Sequence, residues 1–199
     1  MIREVLEKIF ASVGIALLAG CFTTTTPLAP TAWTVEYAAD AAAASAPRAT
    51  PEGASLGSVR VAQVVVRAPY DVREIAVLRP NGSLAFDPYN QFASLPSSLL
   101  KGAVQDALQS FGDVRAAVSS SSRLDADLTA ETTVTRLVLD CREEGTRRAT
   151  VELTILLLKG RVAFASVDGV GVADASDGNY ARAFSAAFSQ AMSDALKTL

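Results

Sequence analysis

The chain of 199 residues contains no histidine. This absence excludes Ser-His and Cys-His nucleophile pairs, histidine metal ligands and imidazole acid–base catalysis near neutral pH. Positive charge is not in excess either, since 18 Lys and Arg residues stand against 21 Asp and Glu, a net charge of −3. Because nucleic-acid binding needs a basic surface, we expect no nucleic-acid partner. No nucleophile and base can be paired, so we expect no enzymatic activity.

The apolar run Ile9–Phe22 is shorter than the ~20 residues that a membrane-spanning helix requires. It follows the basic residues Arg3 and Lys8, a pattern typical of a secretory signal peptide. We therefore predict that residues 1–20 are removed after export. Two other interpretations stay open. The segment can be an ordinary signal peptide, without lipid attachment, or a core helix, and in either case it contains Cys21 by chance.

The sequence Leu-Ala-Gly-Cys at Leu18–Cys21 resembles the lipobox of bacterial lipoproteins. This resemblance implies cleavage after Gly20 and attachment of lipid to Cys21, which anchors the protein without spanning the membrane. Phe22 follows the cysteine, whereas an Asp there resembles an inner-membrane retention signal; we expect the outer membrane, facing the periplasm. Cys141 then has no intrachain cysteine partner, and we assign it no chemistry.

The composition divides the mature chain into two parts. Residues 38–57 are rich in Ala, Pro, Ser and Gly and lack the large apolar groups that stabilise a fold. We predict that residues 21–57 form a lipidated N-terminus and flexible tether, and that residues 58–199 form one folded domain. Within the first part, Thr31–Tyr37 has strand propensity and can add an edge strand.

Hydrophobic periodicity in residues 58–199 predicts an α+β domain. Two helices are expected, one over 95–111 with Ser94 as N-cap and Gly112 as a left-handed C-terminal residue, and one from about 176 to 199 capped by Ser176 or Asp177. Strands are expected at 59–66, 75–78, 84–86, 114–118, 128–141, 149–158 and 162–167. Asn81-Gly82 predicts a type I′ hairpin turn, and 128–158 predicts a second hairpin. The expected architecture is a two-layer sandwich, with a mostly antiparallel sheet and both helices on one face.

The second helix has a distinctive composition. Large apolar residues recur every four positions beside a parallel row of alanines, which allows the helix to lie close to a sheet. The large residues are Tyr180, Phe184, Phe188, Met192 and Leu196, and the alanines are Ala183, Ala187, Ala191 and Ala195.

Acidic clusters do not complete any known ligand pattern. The stretch Asp168–Asn179 lacks both the spacing of a calcium loop and the third glycine or lysine of a nucleotide loop, so we interpret it as a strand-to-helix connection. Asp125, Asp127 and Glu131 are interpreted as a solvated strand entry. We therefore predict no metal ion and no cofactor.

Aromatic and basic residues concentrate in residues 68–92. This segment provides the candidate partner-binding residues, with packing within a hairpin as the alternative interpretation. The candidates are Tyr70, Arg79, Phe86, Tyr89 and Phe92.

Taken together, these features resemble the ABC-type transport auxiliary lipoproteins, which include the paraquat-inducible auxiliary lipoprotein. The similarity rests on the lipobox, Tyr37, the strand 59–66, the sequence Pro69-Tyr70-Asp71, the aromatic entry to the first helix and the Ala/Phe-rich last helix. The family usually has a Trp before the first helix, where Phe92 stands here.

The resemblance implies a non-enzymatic docking or scaffold subunit that works with an inner-membrane ABC transporter and an MCE-type substrate-binding protein in lipid transport between the membranes. Its partner would be the MCE-type protein, ABC transporter components or a second copy of the chain. The alternative is a stand-alone periplasmic carrier that encloses a lipid or small ligand between helix and sheet.

Overall fold

The computed structural model describes residues 29–38 and 56–199. The predictions of cleavage after Gly20 and of lipidation of Cys21 concern residues outside this part of the chain, as do residues 21–28 and 39–55 of the tether predicted over 21–57. The described residues form strands β1 (Thr31–Trp33), β2 (Gly57–Val66), β3 (Glu74–Leu78), β4 (Leu84–Phe92), β5 (Val114–Ser119), β6 (Leu128–Asp140), β7 (Arg148–Lys159) and β8 (Val162–Asp174), and helices α1 (Pro96–Ser110) and α2 (Tyr180–Leu196).

The strands join in one mixed sheet with β6 at its centre. On one edge β6 pairs with β7, and β7 pairs with β8, both in antiparallel orientation. On its other edge β6 pairs in parallel with β2 along its first half and with β3 along its second half. Strand β5 extends the sheet beyond β2, and β4 and β1 extend it beyond β3. Four of the seven strand pairs in the described chain are parallel, so the prediction of a mostly antiparallel sheet is wrong.

The error has a topological cause. Alternating burial identifies the two faces of a strand, but it does not identify the neighbouring strand or its direction. Between β2 and β5 the chain forms the β3–β4 hairpin and then α1, which contacts both β2 and β5. This connection returns the chain to the end where β2 began, and β5 therefore runs parallel to β2.

The two helices pack against the sheet and also contact each other. Helix α1 lies against β2 and β5, and α2 lies against β7 and β8. The predicted α+β class is confirmed. The large residues of α2 are all buried, and three of them, Phe184, Phe188 and Met192, are at most 1% exposed.

Two glycines allow α2 to approach the sheet closely. Gly169 and Gly171 lie in β8 beneath the alanine row, and a Cβ at Gly171 would be 1.8 Å from the carbonyl oxygen of Ala187. A Cβ at Gly169 would be 2.0 Å from the carbonyl oxygen of Ala191. The sequence predicts a connection at these glycines, but β8 continues beneath the helix to Asp174, so that prediction is wrong.

The ends of both helices differ from the prediction. Leu95 is the N-cap of α1 and provides no side-chain bond; instead, the backbone N–H of Ser97 donates to Oδ1 of Asp71 at 3.0 Å. Ser94 is therefore not the cap. Gly112 is not among the glycines with positive φ, and α1 ends at an extended Phe111. The cap of α2 is Asn179, whose side chain accepts a hydrogen bond from the N–H of Arg182.

Both predicted hairpins are confirmed, but the prediction of a type I′ turn between β3 and β4 is wrong. A type I′ turn needs two residues with positive φ, and only Gly82 has one, at 78°. The N–H of Gly82 donates to the carbonyl of Arg79 at 2.9 Å. Pro80 at the second turn position fixes φ near −65°, which favours an ordinary type I turn.

Candidate functional site

The five candidate partner-binding residues do not form one exposed surface. Arg79 is exposed at the β3–β4 turn, and Phe86 and Tyr89 on β4 are 44% and 64% exposed. Tyr70 is partly buried and packs against the core. Phe92 is 1% exposed, which makes it a core residue that does not contribute to the surface.

Phe92 joins the core through an aromatic contact. Its ring lies edge-to-face with that of Phe184 in α2, with centroids 5.3 Å apart. Arg73 holds the backbone here, because its carbonyl accepts from the N–H of Phe92 and its Nε donates to the carbonyl of Phe92. A second edge-to-face pair joins Trp33 of β1 to Tyr180 of α2. An aromatic residue at position 92 thus links β4 to α2.

Tyr89 projects from a bulge in β4. Four residues of β4 lie between Phe86 and Gln91, whereas their partners on β3 are separated by only one. The carboxylate of Asp87 closes the bulge by accepting hydrogen bonds from the backbone N–H groups of Tyr89 and Asn90 and from the side chain of Asn90. Because these bonds fix the backbone, the exposed ring of Tyr89 is presented from a well-defined position.

Residues 29–38 form part of the domain, although they fall within the predicted N-terminal tether. Strand β1 pairs with β4 in parallel, as the predicted edge strand allowed. Beyond it, Val35 is buried, and the N–H groups of Glu36 and Ala38 donate to the hydroxyl groups of Ser185 and Ser189 on α2. The serines lie one turn apart on α2, a spacing that sequence reasoning did not recognise as an acceptor pair.

Side chains of the two helices bind backbone groups at the β5 edge and at the β8 edge of the sheet. On β5, the N–H of Ala117 donates to Gln109 and its carbonyl accepts from Gln105, both in α1. On β8, the N–H groups of Val170 and Val172 donate to Asp194 and Gln190 of α2. Satisfied edge groups are not free to pair with another strand.

Asp127 links the start of β2 to the start of β6. Its carboxylate accepts hydrogen bonds from the backbone and the hydroxyl of Ser58, at 2.7 and 2.8 Å, and lies 3.1 Å from the guanidinium of Arg115. The hydrogen bonds from Ser58, together with Arg115, lower the pKa of Asp127. The residue interpreted as part of a solvated strand entry therefore has a structural role.

Cys141 lines a cleft of about 500 Å³ beside the β6–β7 turn. Burial raises the pKa of its thiol, which favours the protonated and less reactive form. The neighbouring Asp140 forms a close ion pair with Arg142, and the hydrogen bond from Arg142 lowers the pKa of Asp140. These residues have the arrangement of a stabilised turn, with no activated nucleophile.

In the part of the chain that the structure describes, no group of three or more Cys, Asp or Glu side chains is placed to hold a metal ion. Among those same residues, no helix is long and apolar enough to cross a bilayer.

Comparison with known proteins gives structural neighbours only. No family model and no curated protein sequence matches the chain. The crystal structure of protein XCC0632 from Xanthomonas campestris, a DUF330 protein, is similar with a TM-score of 0.60 and 22% identity, covering 82% of this chain and 88% of that one. The crystal structure of an uncharacterized protein covers 83% of this chain and 98% of its own, with a TM-score of 0.57 and 15% identity. At these identities the similarity shows a shared fold.

Proposed function

We propose that the protein is an outer-membrane lipoprotein, anchored through Cys21 and facing the periplasm, that acts as a non-enzymatic docking or scaffold subunit of an ABC/MCE-type lipid transport system. The proposal treats the fold as a two-layer sandwich with both helices on one face of the sheet. It rests on the lipobox-like sequence and on the resemblance to auxiliary lipoproteins, and the structural neighbours supply the fold alone.

The observation that best supports a docking role is the attachment of residues 29–38 to the domain. These residues begin only eight positions after Cys21, and they are held by β4 on one side and by α2 on the other. A domain fixed so close to its anchor is restricted in position above the membrane. Such restriction suits a subunit that receives a partner at the membrane and does not suit a carrier that moves between membranes.

Packing between α2 and the sheet also weighs against the carrier. A lipid carrier needs an apolar cavity of several hundred Å³, and the expected place for it is the space between α2 and β7–β8. That space is filled by Phe184, Phe188 and Met192, and over β8 the helix backbone leaves no room even for a methyl group on Gly171. In the space between α2 and these two strands, a ligand would fit only if the helix left the sheet.

The proposed partners are an MCE-type substrate-binding protein, ABC transporter components or a second copy of the chain. The edges of β5 and of the second half of β8 already have helix side chains bound to them. A partner strand is therefore not expected at those positions.

Crosslinking in intact cells, followed by purification from native membranes and mass spectrometry, tests this function. Wild type should recover an MCE-type protein or a transporter component, and Cys21→Ser should recover much less of it. Cys141→Ser is the matched control, because it changes the other cysteine and should leave recovery unchanged. A monomer that co-purifies only with lipid would contradict the docking function and favour the carrier.

A further inference from the structure

We propose that the β3–β4 hairpin contacts the surface of the bilayer in which Cys21 is anchored. The contact surface consists of Arg79, Leu84, Phe86 and Tyr89, referred to below as the hairpin surface. This inference rests on the anchor in the proposed function, and it assigns three of the candidate partner-binding residues to lipid.

The direction of β1 points the anchored end of the chain toward this hairpin. Strand β1 runs parallel to β4, with Thr31 opposite Asn90 and Trp33 opposite Phe92. The chain that precedes Thr31 therefore leaves the domain beside Tyr89, in the direction that leads back along β4 to Leu84 and the turn. Ala29 and Pro30, both exposed, are the first described residues on this path.

The length of chain before β1 is sufficient for the anchor to lie beside the hairpin. From Glu74, opposite Gln91, to Leu78, opposite Leu84, β3 advances by four residues, or about 13 Å. The ten residues from Cys21 to Thr31 can span at most about 35 Å. The hairpin end, about 13 Å from the level of Gln91 along the strand, therefore lies within the reach of Cys21.

The side chains at this margin have the chemistry of an interfacial contact. Leu84, Phe86 and Tyr89 are 37%, 44% and 64% exposed, and tyrosine favours the boundary between acyl chains and headgroups. In the described part of the chain Arg79 forms no ion pair, so its guanidinium is available to lipid phosphate.

The nearest carboxylate on β4 does not oppose this contact strongly. Asp87 accepts three hydrogen bonds within the bulge, so its charge is partly neutralised by N–H groups. The same bonds fix the backbone that carries Tyr89, and a rigid aromatic group loses little conformational entropy on binding. The bulge therefore serves to present Tyr89 to the interface.

Depth-sensitive fluorescence in the full, exported lipoprotein tests the contact. In a Cys141→Ala background, Ser83→Cys places an environment-sensitive fluorophore at the exposed hairpin turn, and Ser121→Cys is the matched control. Ser121 follows β5, which ends level with Ala130 of β6, whereas the hairpin turn follows Leu78, level with Asp140. Ten residues of β6, about 33 Å, separate the two positions.

Both proteins are reconstituted in vesicles of phosphatidylethanolamine and phosphatidylglycerol and recovered by flotation. We expect the Ser83→Cys probe to shift to shorter wavelength and to be quenched by a lipid-borne quencher, and the Ser121→Cys probe to do neither. Adding Phe86→Ser and Tyr89→Ser should abolish the shift while the far-UV circular dichroism spectrum is retained.

Three other results would overturn the proposal, each in a different way. Equal emission of the two probes in floating vesicles would contradict the contact and leave the anchor intact. Failure of the protein to float would contradict the anchor itself. A shift at Ser83→Cys that needs added membrane proteins would assign the hairpin surface to a protein partner.

Discussion

The margins of the sheet at β8 and at β4 are organised in opposite ways. At β8, glycines bring α2 onto the strand, and Gln190 and Asp194 bind the edge N–H groups of Val172 and Val170. At β4, a bulge turns Tyr89 outward, and Leu84 and Phe86 remain exposed. Both margins expose apolar side chains, including Val170 and Val172 on β8, but the edge N–H groups of β8 are bound by the chain itself at these positions, whereas the β4 margin lies next to the chain that precedes β1. The two margins therefore differ in how their backbone is held, and the proposed membrane contact uses the β4 margin.

The largest expected effect comes from Phe92, one of two phenylalanines of β4. Phe92→Ala removes a ring that is packed against Phe184 and should lower the free energy of unfolding by about 4 kcal/mol. Phe86→Ala, on the same strand but half exposed, should lower it by less than about 1 kcal/mol. Urea unfolding followed by circular dichroism measures both. Equal losses would show that Phe86 is a core residue and would remove it from the hairpin surface.

The β8 margin should be sensitive to the smallest added group. Gly171→Ala places a methyl group against the carbonyl of Ala187 and should cost about 3 kcal/mol, because the helix must shift. The control is Gly102→Ala in α1, where a Cβ meets no atom within 4 Å and helix propensity should give a gain of about 1 kcal/mol. If Gly171→Ala is as stable as wild type, α2 does not rest on β8 as described.

The cap of α1 provides a third comparison, between a residue distant in sequence and an adjacent one. Asp71→Ala removes the acceptor for the N–H of Ser97 and should cost about 1 kcal/mol. Ser94→Ala, at the cap position that the sequence predicted, should change stability by less than about 0.5 kcal/mol. The reverse order in thermal unfolding would restore Ser94 as the cap.

The edge contact of Gln190 should contribute a similar amount. Gln190→Ala frees the N–H of Val172 at the edge and should cost about 1 kcal/mol, together with increased self-association in light scattering. Gln63→Ala, an exposed glutamine on β2, is the control and should change neither quantity. Unchanged association in Gln190→Ala would mean that this helix contact does not protect the edge.

The smallest expected effect is a pH dependence at Asp127. Hydrogen bonds from Ser58 lower its pKa in the folded state, so its contribution is present above the ordinary pKa of an aspartate and is lost as the pH falls below about 4. The difference in unfolding free energy between wild type and Asp127→Asn should therefore shrink from pH 7 to pH 3. Ser58→Ala should reduce this pH dependence, and a difference that grows toward pH 3 would contradict the assigned sign.

Sequence periodicity was sufficient to predict the core row of α2 and the two hairpins. Large residues four apart in α2 and strict alternation in β7 are local patterns that directly report a buried face. The predicted N-cap of α1 was wrong because the acceptor for the N–H of Ser97 is Asp71, which lies 26 positions away in the sequence. No local pattern contains a contact of that range. The prediction of a type I′ turn was wrong because Pro80, next to Asn81-Gly82, favours the backbone conformation of an ordinary type I turn.

The candidate site was predicted only in part for a similar reason. Aromatic residues are common both in cores and at interfaces, so composition placed Phe86 and Phe92 in one group, and only the tertiary contact with Phe184 separates them. The pairing of β1 with β4, which orients the chain that precedes β1, depends on long-range register that sequence does not encode in a readable pattern.

The most direct test of the central claim is the mass of the mature N-terminal peptide of the protein purified from its native membrane. A membrane-anchored docking subunit should begin at Cys21, with that cysteine carrying lipid, and Cys21→Ser should leave the membrane fraction. An N-terminus at another residue, or an unmodified Cys21 in a protein that still sediments with the membrane, would contradict both the anchor and the function built on it.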